Sequence, residues 1–136
     1  MQRAELSDFG NDDFRARLAL QCQSIDEDTG LNALGRLGAF SNLVRYATNR
    51  LRFEDLLRRH PEILEVRIER PLIVAGMPRT GTTHLLNLIG ADTRLRSLPY
   101  WEAMEPVPVR GEGPGRDGRD PRYARCQASY QQMVAN

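Results

Sequence analysis

Leu72-Ile73-Val74-Ala75-Gly76-Met77-Pro78-Arg79-Thr80-Gly81-Thr82-Thr83 is the stretch on which the reading of this 136-residue chain turns. Its first five residues form a continuous apolar run rich in branched side chains, the pattern of a strand buried on both faces. Gly, Pro and Thr then make a tight turn. His84-Leu85-Leu86-Asn87-Leu88-Ile89 follows as the start of a buried helix. The local unit is strand, loop, helix.

Upstream, residues 1–70 read as a helical region. Asn11, Asp12 and Asp13 supply caps and negative charge to a helix running through Phe14, Leu18 and Cys22. Ser24 to Gly30 is expected to break it. A second helix is expected to bury Leu31, Leu34, Leu37, Phe40, Leu43 and Val44. A third, shorter helix carries Phe53, Leu56 and Leu57 and stops near His60-Pro61, because proline disfavours helix in the residue before it. Arg50, Arg52, Arg58 and Arg59 read as a solvated helix face rather than a site for an acidic partner. Downstream, Arg110 to Asp120 is rich in glycine and charge and reads as an exposed loop, with a last helix over Pro121 to Val134.

A strand buried on both faces belongs in a parallel sheet, yet one convincing strand stands alone here. The expectation is an α/β fold of the P-loop nucleotide-binding type, a parallel sheet flanked by helices. Residues 71–136 would be its first, truncated part and residues 1–70 a helical extension.

Composition narrows the function. The basic residues are 19 arginines and no lysine, against 18 acidic residues, for a net charge of +1. That balance argues against a nucleic-acid module. No apolar run approaches the length of a membrane span, and the first residues contain no apolar signal segment. Cys22 and Cys126 have neither metal-binding nor redox spacing, so a reduced cytoplasmic compartment is expected and no metal site is.

The loop from Gly76 to Thr83 has the spacing of the phosphate-binding frame G-x-x-x-x-G-K-[ST]. A turn after a buried strand aims backbone N–H groups inward, and the next helix adds its unpaired amides and positive dipole end. Gly81 lets the main chain approach an oxyanion without a Cβ in the way. The departure is Thr82, which stands where a nucleoside triphosphatase has its phosphate-gripping lysine. The only cation in the loop is Arg79. A nucleotide kinase or NTPase is therefore the weaker alternative.

Pro78-Arg79-Thr80-Gly81-Thr82-Thr83 resembles the 5′-phosphosulfate loop of sulfotransferases that use 3′-phosphoadenosine 5′-phosphosulfate (PAPS), above all a bacterial subgroup with a Pro-Arg-[Ser/Thr]-Gly-Thr-Thr loop. His60-Pro61-Glu62-Ile63 before the strand, and Trp101-Glu102 followed by Pro106 and Pro108 after it, fit the same family. The resemblance implies transfer of a sulfuryl group from PAPS to a hydroxyl acceptor, on a small molecule, lipid or carbohydrate. It implies that Arg79 contacts the bridging oxygen and 5′-phosphate, and that Thr80, Gly81, Thr82 and Thr83 hold that phosphate. Glu102 falls near the position of a catalytic glutamate in tyrosylprotein sulfotransferases, at a slightly longer distance from the loop. Glu105 competes with it for the role of base. The Arg and Ser pair that holds the 3′-phosphate in the family has no clear counterpart here, so a non-catalytic remnant is a further alternative. Trp101 and Tyr100 suit either an acceptor pocket or packing under a loop. His84 reads as packing or capping, and His60 as a helix terminator.

Overall fold

The computed structural model describes residues 6–27, 30–115 and 117–135, and the chain divides into two compact units. One comprises residues 1–64 with 106–111, the other residues 65–105 with 112–136.

The first unit is helical. Asn11 caps a short 3-10 turn, Asp12–Phe14, by accepting from the Asp13 amide at 3.0 Å. Helix α1 (Arg15–Glu27) continues from it. It runs through Ser24, Ile25, Asp26 and Glu27, where a break was expected, because none of these residues is a Gly or Pro and polar side chains alone do not stop a helix. Helix α2 (Ala33–Arg59) starts at Asn32, whose side chain accepts from the Gly35 amide at 2.8 Å. The two helices expected over this stretch are one. The apolar stripe drifts around the axis between Val44 and Phe53, but no helix breaker interrupts the backbone there. The helix ends at Arg59, before His60-Pro61, as the proline predicts.

Arginines stitch this unit together. Arg36 bonds Asp26 through both its carboxylate and its carbonyl, tying the end of α1 to the start of α2. Arg50, expected in solvent, is half-buried: it donates to the carbonyls of Phe9 (2.7 Å) and Asn11 (2.6 Å) and lies over the Phe14 ring. Arg58 reaches Asp8 at 2.7 Å. A cleft of about 320 Å³ separates α1 from α2, lined by Phe14, Leu18, Leu43, Tyr46 and Ala47 among others. Apolar burial is sparse, with Leu51 and Val107 the buried hydrophobic residues among those described. Leu34, Leu37 and Phe40, expected in the core, are exposed.

The second unit carries the loop. The segment Pro71–Met77 has no regular secondary structure, so the strand expected at Leu72–Gly76 is not formed. A strand exists only through its ladder, and no second strand is present among the described residues. Leu72 and Ile73 are 69% and 82% exposed, so consecutive side chains on opposite sides both face outward. Helix α3 (Thr82–Gly90) follows the loop. Helix α4 (Tyr100–Met104) and helix α5 (Pro121–Ala135) pack on each other. The α5 boundaries extend the expected helix by one residue. Between these helices, Gly115 and Arg119 close a turn through a 2.8 Å backbone bond.

Candidate functional site

The loop is closed from within. The Thr80 hydroxyl donates to the Met77 carbonyl at 2.6 Å, a short bond that folds Pro78 and Arg79 outward as a turn. This commits the Thr80 hydroxyl proton to the loop itself. Gly76 lies under the turn. A Cβ there would stand 2.8 Å from the Thr82 methyl and 2.9 Å from the Thr80 hydroxyl oxygen. Glycine at 76 thus serves close packing between the segment and the loop, a role the spacing alone did not reveal.

Arg79 and Gly81 both adopt the left-handed conformation, with φ of +67° and +88°. At Gly81 this costs nothing, and a Cβ built there would meet no atom within 4 Å. At Arg79 it costs on the order of 1 kcal/mol or more. The side chain gains nothing internal in exchange: Arg79 is exposed and has no ion-pair partner among the described residues. Gly81 caps α3 without any side-chain bond, and the first closing bond of the helix is Leu85 N–H to Gly81 C=O at 3.0 Å. The amides of Thr82, Thr83 and His84 therefore precede the helical ladder as donors, at the positive end of the helix dipole. Thr82 is half-buried, and Thr83 and His84 are exposed. One guanidinium, a run of main-chain amides and two threonine hydroxyls make an anion-recognising donor set.

Glu102 lies in α4, in a different setting. Its side chain is 19% exposed and its Oε2 accepts from Arg96 Nη2 at 2.6 Å. Trp101 beside it is covered by the Arg122 guanidinium, 4.9 Å above the ring, and by Tyr123 edge-on at 6.5 Å. The aromatic pair thus packs between α4 and α5, while Tyr100 is exposed. Arg122 also donates to the Glu105 carbonyl at 2.9 Å and grips Asp120 at 2.7 Å. These hydrogen bonds hold the Asp120 carboxyl below the usual carboxylate range and raise the Arg122 guanidinium. Arg125 forks onto Glu105, through Nη2 at 2.8 Å and Nε at 3.1 Å, and onto Glu112 at 3.0 Å. Bonds from Glu105 and then Glu112 push its guanidinium further toward the charged form.

The structure thus brings Arg79, Thr80, Gly81, Thr82 and Thr83 together in one turn. Glu102 belongs to a separate cluster built on α4 and α5. Glu105, the rival base, is the C-cap of α4 and is engaged by Arg125. Arg96, Arg122 and Arg125 went unnoticed in the sequence. Their carboxylate partners lie 6 to 20 residues away or flank a loop, and no helix or strand period joins them. No cluster able to hold a metal ion is found among the described residues, and none of their helices is long and apolar enough to cross a membrane.

A sequence model described as the sulfotransferase family matches residues 71–136, from the apolar segment through α5. Comparison with curated proteins gave no match. Among solved structures, the chain is similar to the crystal structure of sulfotransferase STF1 from Mycobacterium tuberculosis H37Rv, with a TM-score of 0.72 and 34% identity. The likeness covers 96% of this chain and 36% of that one, so the chain spans about a third of that protein's length. Over residues 71–136, the part that carries the loop and α3 to α5, the chain belongs to the sulfotransferase family.

Proposed function

We propose that this chain supplies the donor-binding loop and the candidate base of a sulfotransferase that moves a sulfuryl group from PAPS to a hydroxyl acceptor. The observation that carries the reading is the loop itself. Arg79 is held at an unfavourable backbone angle, exposed and without an ion-pair partner among the described residues, beside the start of α3, which has no side-chain cap. Arg70 shares the left-handed angle and the exposure, so what singles out Arg79 is its place beside the amides of Thr82, Thr83 and His84 at the start of α3, where an anion would meet both. The donor set suits the 5′-phosphate of the donor: Arg79 on the bridging oxygen, and the amides and hydroxyls from Thr80 to Thr83 on the phosphate, with Thr80 acting through its amide.

Transfer forms a bond from the acceptor oxygen to sulfur and breaks the bond from sulfur to the bridging phosphate oxygen, which leaves with the electron pair. Charge builds on that oxygen in the transition state. Arg79 and the α3 N-terminus would stabilise it, and oriented donors of this kind are commonly the largest single catalytic contribution. The acceptor proton passes to Glu102 as general base. A sulfuryl group carries less charge than a phosphoryl group, and the donor set described here needs no metal clamp to meet it.

In the same reading, residues 71–136 form the first part of a parallel-sheet P-loop domain and residues 1–70 a helical region before it. The apolar faces of Leu72 and Ile73 support this, because they require a neighbouring strand and helices on both sides. A reduced, cytoplasmic setting accords with two free cysteines, and the acceptor belongs to the alcohol or phenol class.

The test is transfer of label from ³⁵S-PAPS to a panel of hydroxyl acceptors by the unaltered chain and by Arg79→Ala. Transfer that depends on Arg79 supports the assignment. Equal transfer by both would remove Arg79 from the chemistry, and no transfer to any acceptor would remove the activity from this chain.

A further inference from the structure

We propose that Arg96 is a positioning residue for the reaction, holding Glu102 by one carboxylate oxygen so that the other faces the acceptor proton. This rests on the reading of Glu102 as the base. Three observations lead to it. First, Glu102 is mostly buried although it is charged, and buried carboxylates require a partner. Second, the bond from Arg96 Nη2 is short, 2.6 Å, and is the one side-chain hydrogen bond to Glu102 among the described residues, ending on Oε2, while the Arg122 guanidinium acts on the same carboxylate through its charge. Third, the exposure is lopsided: the Arg96 side chain is 74% exposed and the Glu102 side chain 19%.

That asymmetry bears on the purpose of the pair. A salt bridge with one exposed partner contributes little to stability, because solvent screens it and holding the arginine costs entropy. What the contact does accomplish is to favour one Glu102 rotamer over the others. Trp101, adjacent in α4, packs on Arg122 and Tyr123 of α5, which anchors the helix that carries Glu102. The carboxylate torsions are the remaining freedom, and the Arg96 bond biases them, alongside the charge of Arg122. A base must meet its proton within about 2.6–3.2 Å, so a carboxylate already aligned has an advantage over one that must search. Arg96 sits in the segment between α3 and α4, six residues before Glu102, and bonds no other residue among those described.

The experiment compares Arg96→Ala, Arg96→Lys, Glu102→Gln and the double variant Arg96→Ala/Glu102→Gln in the full chain. Transfer of ³⁵S from PAPS is measured to whichever of a phenol, a glycoside and a fatty alcohol turns over fastest. Arg96→Ala should lower kcat on the order of 10- to 100-fold, the scale of a misplaced catalytic group, and leave the KM for PAPS unchanged. Arg96→Lys should restore part of the loss. The double variant should be no slower than Glu102→Gln alone, since both changes strike one device. Thermal melts of the single arginine variants should match the unaltered chain. Three outcomes overturn the proposal: Arg96→Ala with normal kcat, a double variant slower than Glu102→Gln by the full Arg96 effect, or a raised KM for PAPS with kcat intact. If Glu102→Gln is fully active while Arg79→Ala is not, the base assignment fails but the donor loop stands. If the unaltered chain transfers nothing, the functional reading fails first.

Discussion

The loop and the α4–α5 cluster spend their charged residues in opposite ways. In the loop, the one cation, Arg79, faces solvent with no ion-pair partner among the described residues, and the local geometry is held by a hydroxyl bond and by glycine. In the cluster, Arg122 and Arg125 are each bonded to more than one group, and Asp120, Glu105 and Glu112 are engaged in turn. The first arrangement leaves binding capacity unspent, and the second consumes it in structure. Arg67 and Arg70 of the same unit are also exposed without an ion pair among the described residues, so it is the run of open amides beside Arg79 that marks where a ligand's charge is expected.

The largest expected effect strikes the unspent side. Arg79→Ala should raise the barrier to transfer by about 3 kcal/mol, more than a hundredfold in kcat, by analogy with loss of one oxyanion donor. Circular dichroism of the variant should be unchanged, because the side chain holds nothing in the fold. Loss of both activity and helix content would place Arg79 on the structural side of the contrast.

Next comes Gly76→Ala. The added methyl would press on Thr80 and Thr82 at distances below 3.0 Å, and overpacking of this kind costs about 1–3 kcal/mol. Thermal melting should show the loss, and hydrogen exchange should quicken at the start of α3. An unaltered melt would mean that the loop yields easily and is not held in shape beforehand.

The cluster should respond differently. Arg125→Met removes a bidentate partner from Glu105 and leaves Glu112 facing it, with a cost of about 1 kcal/mol once partial exposure is allowed for. Urea unfolding in low and high salt checks this: salt should reduce the difference between variant and parent. A difference independent of salt would indicate packing in place of charge.

Acid gives the smallest and most graded effect. Arg122 holds the Asp120 carboxyl below its ordinary range. Its folded pKa is thus depressed, so its contribution to stability is complete above the unfolded value of about 3.9 and is lost as pH falls through the folded one. The α4–α5 contact should loosen only below about pH 4, as followed by NMR shifts of α5 amides. Loosening near neutral pH would point to another group.

How much of this was legible in the sequence follows the same division. The loop was readable because its geometry is local: Pro78, Gly81 and two threonines sit within six residues, and turn chemistry acts over that range. The end of α2 was readable for the same reason, through Pro61. The strand at Leu72–Gly76 was misjudged as a formed element, since its apolar pattern states what the segment requires and not what stands beside it. The break placed at Ser24 and the split of α2 overvalued drift in the apolar stripe, where a helix needs only the absence of breakers. Glu102 is a candidate through resemblance alone, and its partner Arg96 has no local signal in the sequence. Neither Arg122 over Trp101 nor Arg125 between two glutamates obeys any period along the chain. Such contacts are fixed by how α5 returns to α4, which no local pattern encodes.

The clamp on Trp101 has an experimental consequence. It is the chain's single tryptophan, and it lies between a guanidinium and a tyrosine edge, directly before Glu102. Excited near 295 nm, the whole protein has one emitter, placed by its own fold next to the candidate base. Its intensity and emission maximum will follow the separation of α4 and α5 and, under the proposed role of Glu102, the binding of an acceptor, with no label added and no second indole to confuse the signal.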